Sequence, residues 1–295
     1  MKTILILLAV MTMGCGRNGE DTMDTPWTAT YETPAAQQHT LKVGIGQMMV
    51  IGGEPEVNLD TAVGFIREAS EQQCDLVVLP EALDFGWTNT KAKTQAQPIP
   101  GPYSAILTEA ARQHRIHVVA GLTEKDGDRV YNAAVLIAPE GEILHKHRKI
   151  NILDIARDLY TPGRTLAVTE TALGRIGLDI CADNWPSVRP IGHTLALMGA
   201  DLIVSPSAWA VPPDHDNEKD PYGGPWIDAF TDIAQTHGVP VIGVSNVGTI
   251  ADGPWAQWLV IGASLVVSHD GQVQQQCDYT STDQHLYVID VALKK

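Results

Sequence analysis

The chain has 295 residues, 44% of them hydrophobic and 19% charged, and a formal net charge of −15. This composition supplies a globular core and excludes that of a disordered chain. The acidity excludes a nucleic-acid surface, which needs clustered Lys and Arg.

Lys2 precedes the apolar run ILILLAVMTM, and Gly14 stands directly before Cys15. A charged start and an apolar run shorter than the roughly 20 residues of a membrane span have the form of a signal peptide over 1–14. The small residue before Cys15 resembles the bacterial lipoprotein box, in which the cysteine is lipidated. Thr12 and Met13 stand where Leu and a small residue are more usual, so a plain signal peptide or an uncleaved anchor are the alternatives. The expectation is an exported bacterial lipoprotein facing the periplasm or cell exterior, meeting the membrane through an N-terminal lipid anchor. Residues 15–39 are polar and aperiodic and read as a flexible tether, or as a disordered N-terminus without a special role.

From residue 40 to 295 the chain reads as one α/β domain with no compositional break. Val/Ile/Leu-rich runs bounded by Gly, Pro, Asn and Asp predict strands over 41–50, 75–81, 116–124, 131–139 and 142–149. Further runs predict strands over 175–181, 201–208, 239–246, 263–270 and 285–292. Leu59, Val63, Ile66 and Ala69 recur at helical spacing, as do Tyr103, Ile106, Leu107 and Ala110, and Trp226, Phe230, Ile233 and His237. APEGEI (138–143) and SHDGQV (268–273) place Gly at a turn between strands. This order gives an α/β layered domain with a mixed sheet. The long polar stretch 211–225 reads equally as a disordered insertion or as an active-site rim.

Three apolar runs end in a reactive residue: Glu81 after LVVLP, Lys149 after ILHKHR and Cys181 after GLDI. Each alone reads more simply as a rim carboxylate, an exposed cation and a small buried thiol. The ends of neighbouring strands in an α/β sheet share one edge, so the three could meet. A carboxylate could then take the thiol proton, while an ammonium favours the thiolate and an oxyanion.

LPE, YNAAVLIAPEGEILHKHRKI, GLDICADNWP, GADLIVSPSAW (199–209) and IGASLVVSHDG (261–271) follow one another along the chain. In these segments the sequence resembles the carbon–nitrogen hydrolase (nitrilase) superfamily over residues 41–290. The resemblance implies an α-β-β-α sandwich with mixed sheets, paired as a homodimer or higher homo-oligomer. It also implies hydrolysis of a non-peptide C–N bond in a small-molecule amide, without metal or organic cofactor. Carried over by position, Glu81 is the base, Lys149 stabilises the oxyanion and Cys181 is the nucleophile. The N–H of Ala182 is then a second oxyanion donor.

The sequence departs from the family around these residues. Ala182 and NWPS stand where many members carry a large residue and RFPE, and His147 replaces the tyrosine of YRK. Asp158 is the nearest acid to a second family Glu that helps place substrate, and Trp185 and Trp209 are candidates for shaping the pocket. With Cys15 lipidated, Cys74 and Cys277 could pair in a disulfide or remain buried thiols. His145 and His147 alternate on a strand without the further ligands of a zinc site. The alternatives to an amidase are an acyltransferase using the same acyl-enzyme and a binding lipoprotein that kept the fold but lost turnover.

Overall fold

A computed structural model describes residues 39–294. The expected signal peptide, Cys15 and the tether, apart from His39, lie outside these residues.

The first half runs β1 (His39–Gln47), α1 (Pro55–Glu71), β2 (Leu76–Val78), the single turn α2 (Ala92–Gln95), α3 (Pro102–His114), β3 (His117–Asp126), β4 (Arg129–Ile137) and β5 (Ile143–Arg148). The second runs β6 (Val168–Thr171), β7 (Gly174–Leu178), α4 (Pro190–Leu197), β8 (Leu202–Ser207), β9 (Ala210–Val211), α5 (Gly224–His237) and β10 (Val241–Ser245). It closes with β11 (Val247–Thr249), β12 (Leu259–Ile261), β13 (Leu265–Val267), β14 (Val273–Gln276) and β15 (His285–Leu293).

Two six-stranded sheets result, in the orders β15-β1-β2-β3-β4-β5 and β14-β13-β10-β8-β7-β6. Each has a parallel centre, β1-β2-β3 in one and β7-β8-β10 in the other, with antiparallel strands outside it. A third, three-stranded sheet joins β11, β12 and β9. The period-two alternation of the central strands makes the layers. Val43, Ile45, Leu76, Val78, Val119, Ala134 and Leu136 share a core with Ile176, Leu178, Leu202 and Val204 of the other sheet. Their neighbours Val77, Leu79, Val118, Ala120, Ala133 and Val135 face the opposite way, into a core with Leu59, Phe65 and Ile66 of α1 and Leu107 and Ala111 of α3. Phe230, Ile233 and Ala234 of α5 cover the second sheet. The domain is the expected α-β-β-α sandwich.

Local chemistry sets the helix ends. Pro55, Pro102 and Pro225 sit in the first turns of α1, α3 and α5, where a missing N–H costs nothing. Gly238 ends α5 in the left-handed region at φ +70°. Both expected hairpins form, with the Ala138 N–H donating to Glu142 O and the Ser268 N–H to Gln272 O.

The expected strands over 75–81 and 175–181 are shorter than their apolar runs. β2 stops at Val78 and β7 at Leu178, so Glu81 and Cys181 lie on the turns beyond. Ile106, expected on the buried face of its helix, is 39% exposed. Cys74 and Cys277 are free, buried thiols in different cores, so the disulfide alternative is not formed.

Close approach at one glycine positions the turn after β2. A Cβ on Gly121 of β3 would stand 2.5 Å from Glu81 Cα and 2.6 Å from Pro80 O, both backbone atoms that cannot swing aside. Gly121→Ala is therefore expected to destabilise the protein by about 1–3 kcal/mol, read as a lower urea midpoint. An unchanged midpoint would show that the turn is free to shift.

Candidate active site

Glu81, Lys149 and Cys181 converge, although they do not come from neighbouring strands as expected. Glu81 follows β2 and Lys149 follows β5, with β3 and β4 between them in the first sheet, and Cys181 follows β7 of the second. The site therefore lies where the two sheets meet at their strand ends. The Glu81 N–H donates to Ser207 O at the end of β8, 3.2 Å away, and ties the sheets together there. Lys149 Nζ donates to Glu81 Oε1 at 2.6 Å, and Asn132 Nδ2 of β4 donates to the same oxygen at 2.5 Å. Glu81 Oε2 is buried without a hydrogen-bond partner. Cys181 has φ +44°, an uncommon conformation for a non-glycine residue, on the turn that leaves β7. Its N–H donates to Ser205 Oγ at 3.0 Å.

Asp183 holds the Lys149 and Cys181 segments together. Its Oδ1 accepts from the N–H groups of Ile150 and Asn151 at 3.0 and 2.7 Å, directly after Lys149. Its Oδ2 accepts from the Ile180 N–H at 3.1 Å and lies 3.0 Å from His147 Nε2. Asn151 Nδ2 returns a bond to Ala182 O at 2.6 Å. His147, which replaces the family tyrosine, is thus committed to Asp183 rather than paired with His145.

Burial, and after it the neighbouring Glu81 carboxylate, pushes the Cys181 thiol up to about 12 against the opposing pull of Lys149 and the Ala208 N–H. Burial thus favours the neutral form of the thiol. For Lys149, burial works against the charged form but is outweighed chiefly by the Glu81 carboxylate, with Asp183 adding to it, so its pKa is raised. Asp84, on the Glu81 turn, is raised to about 7 by burial, opposed by bonds from Thr123 and Phe85. It accepts from the Thr123 N–H at 2.9 Å and so anchors that turn to β3.

A cavity of about 580 Å³ opens over Cys181 and Lys149, and Ala182, Trp185 and Trp209 are among the residues that line it. Asp158 does not: it is exposed and borders a different depression, beside Lys93 and Lys125, so it is not the carboxylate of this cavity. The stretch 211–225 supplies His215, Asp220, Pro221 and Tyr222 to the lining, and so forms a rim. Trp87, Trp226 and Trp255 join the wall from loops and a helix far apart in sequence. Trp209 stacks on Trp226, with ring centroids 5.3 Å apart, and Trp185 meets Trp226 edge-on at the same spacing. Asn132 and Asp183 lie within the segments that carry the family resemblance, but their hydrogen-bond partners are remote along the chain, so the sequence alone does not reveal their roles.

Comparison with known proteins agrees with this geometry. A family model described as carbon-nitrogen hydrolase matches residues 42–294. The chain belongs to the carbon-nitrogen hydrolase family. Among curated family relatives, a nitrilase of Pyrococcus abyssi is 37% identical over 177 residues, covering 58% of this chain and 66% of that protein. An omega-amidase of Bos taurus is 31% identical over 180 residues, covering 58% and 64%. The matched part of this chain thus spans just under two thirds of those relatives' lengths. In three dimensions it is similar to a carbon-nitrogen hydrolase from Helicobacter pylori G27, with a TM-score of 0.73 and 22% identity over 86% of this chain and 89% of that one. An amidase from Nesterenkonia sp. AN1 superimposes with a TM-score of 0.72 and 21% identity, over 85% and 93%. These two likenesses establish the shared fold.

Two buried carboxylates give testable consequences. Asp183→Ala leaves several buried donors unpaired and is expected to cost about 3–5 kcal/mol of stability, with Asp183→Asn costing less because one acceptor oxygen remains. A urea midpoint equal to that of the unaltered protein in the alanine variant would contradict this role. Asp84 ionises near 3.9 when unfolded and at about 7 when folded, so its stabilising contribution is full below pH 4 and falls as pH rises toward 7. Asp84→Asn cannot titrate. Its stability relative to the unaltered chain is expected to rise between pH 4 and 7 and to level off above; a pH-independent difference would contradict the assignment.

Proposed function

We propose that the chain hydrolyses the C–N bond of a small amide through a thioester on Cys181. The observation that carries this reading is the convergence, under one cavity, of a buried thiol, a carboxylate and an ammonium held 2.6 Å from that carboxylate.

In the first step Glu81 takes the proton of the Cys181 thiol as Sγ bonds to the amide carbon. The oxyanion that forms is stabilised by the Lys149 ammonium and by the Ala182 N–H at the head of the Cys181 turn. Collapse breaks the C–N bond, and the proton held by Glu81 passes to the leaving nitrogen, releasing ammonia or an amine. Water then gives a proton to Glu81 and attacks the thioester. The C–S bond breaks, the acid leaves, and the proton returns to Cys181. Burial favours the neutral thiol, so in this reading Glu81 is the group that takes its proton.

Membership of the carbon-nitrogen hydrolase family supports the reading, as do the activities named for its relatives. Ammonia release from a panel of small amides tests it. Glu81→Gln is expected to lower kcat at least about 100-fold, and Cys181→Ala to abolish release. Amide-derived ammonia that persists undiminished in Cys181→Ala would refute the proposal.

A further inference from the structure

The wall of the cavity bears on which amide the site accepts. Five of the chain's seven tryptophans, Trp87, Trp185, Trp209, Trp226 and Trp255, line it together with Tyr222. They form two groups. Trp185, Trp226 and Trp209 make a continuous face, fixed by the bond from Trp226 Nε1 to Tyr222 Oη at 2.9 Å. Trp255 meets Trp87 edge-on at 5.1 Å and is backed by Trp258, stacked 4.1 Å behind it. Trp209 and Trp226 are almost fully buried, whereas Trp185 is 40% exposed at the edge. Indole rings held by their neighbours in this way offer large apolar faces at little entropic cost, suited to stacking against a flat apolar group.

The charges around the same cavity point in one direction. Lys149 is the one Lys or Arg among its described lining residues, and it is buried and committed to Glu81. The carboxyl-bearing residues of the lining are Asp154 and Asp220, and Arg157, which pairs with Asp154, is not part of it. A substrate carboxylate placed here would lose its hydration between indole rings and meet no Lys or Arg free to pair with it, the imidazole of His215 being the other basic group of the described lining. A neutral aromatic group loses little hydration and gains the contact area of the wall.

We infer that the acyl group accepted over Cys181 is a bulky aromatic one without a negative charge, such as an arylalkyl amide, and that ω-carboxylate amides are selected against. This rests on the amidase reading for the identity of the bond cleaved. The shape and charge of the wall carry the choice of acyl group.

Binding and turnover separate the two. Isothermal titration of Cys181→Ala with 3-phenylpropionamide, butyramide and succinamate reads the acyl preference without chemistry. The aromatic amide is expected to bind at least about tenfold tighter than either of the others. Adding Trp185→Ala, at the exposed edge of the wall, is expected to shrink that preference severalfold, because the aromatic amide loses more contact than butyramide does. Succinamate binding as tightly as 3-phenylpropionamide, or no difference among the three, would overturn the inference. If the aromatic preference holds but the unaltered protein releases no ammonia from any of them, the acyl-group inference stands and the hydrolytic reading falls.

Discussion

The carboxylate of Asp183 accepts hydrogen bonds from the backbone on both sides of the site: after Lys149 on the first sheet, and before Cys181 on the second. Two sheets packed face to face are free to slide by a fraction of an ångström unless something registers their edges, because apolar packing is not directional. Asp183 supplies direction at this point. With the Glu81 N–H bonded to Ser207 O and Asn151 bonded to Ala182 O, it fixes the thiol, the ammonium and the carboxylate relative to one another. A site assembled from strand ends of different sheets depends on such bonds, since reacting groups must be held to within a fraction of an ångström.

Burial has opposite effects on the groups it surrounds. It strengthens the attraction between Lys149 and Glu81 by excluding water, and the charges around Lys149 keep it an ammonium. It also raises the Cys181 thiol to about 12, which favours its neutral form. A resting thiol is less open to oxidation than a thiolate. The same dry, aromatic surroundings bear on substrate choice, because a cavity that disfavours a resting thiolate also disfavours a carboxylate brought in on the substrate.

Much of the framework was legible in sequence because it rests on short-range periodicity. The continuous apolar runs Leu76–Leu79 and Ala133–Ile137 mark strands buried on both faces, and the spacing of Leu59, Ile66 and Ala69 marks one face of α1. The missed strands are short or polar: β14 is VQQQ and β6 is VTET at the two edges of one sheet, and β9 has two residues. Such segments pair because their neighbours present backbone groups, and their own side chains carry little signal. The eight-residue α4 was missed for a related reason, as it is too short to display a clear period. The reactive residues could be named from their motifs, whereas the role of Asp183 and the meeting of Trp87, Trp185, Trp226 and Trp255 depend on contacts between remote segments. Asp158 illustrates the opposite error: a residue type matched near the right motif, on a turn whose side chain faces solvent.

The central claim is that Cys181 forms a covalent bond to the acyl group. Rapid acid quenching during turnover of an amide, followed by intact-mass measurement and peptide mapping, tests it most directly. The account predicts a transient adduct equal to the substrate mass less ammonia, carried on the peptide containing Cys181 and absent in Cys181→Ala. Ammonia release at full rate with Cys181 unmodified throughout, or an adduct on Cys74 or Cys277 instead, would contradict it.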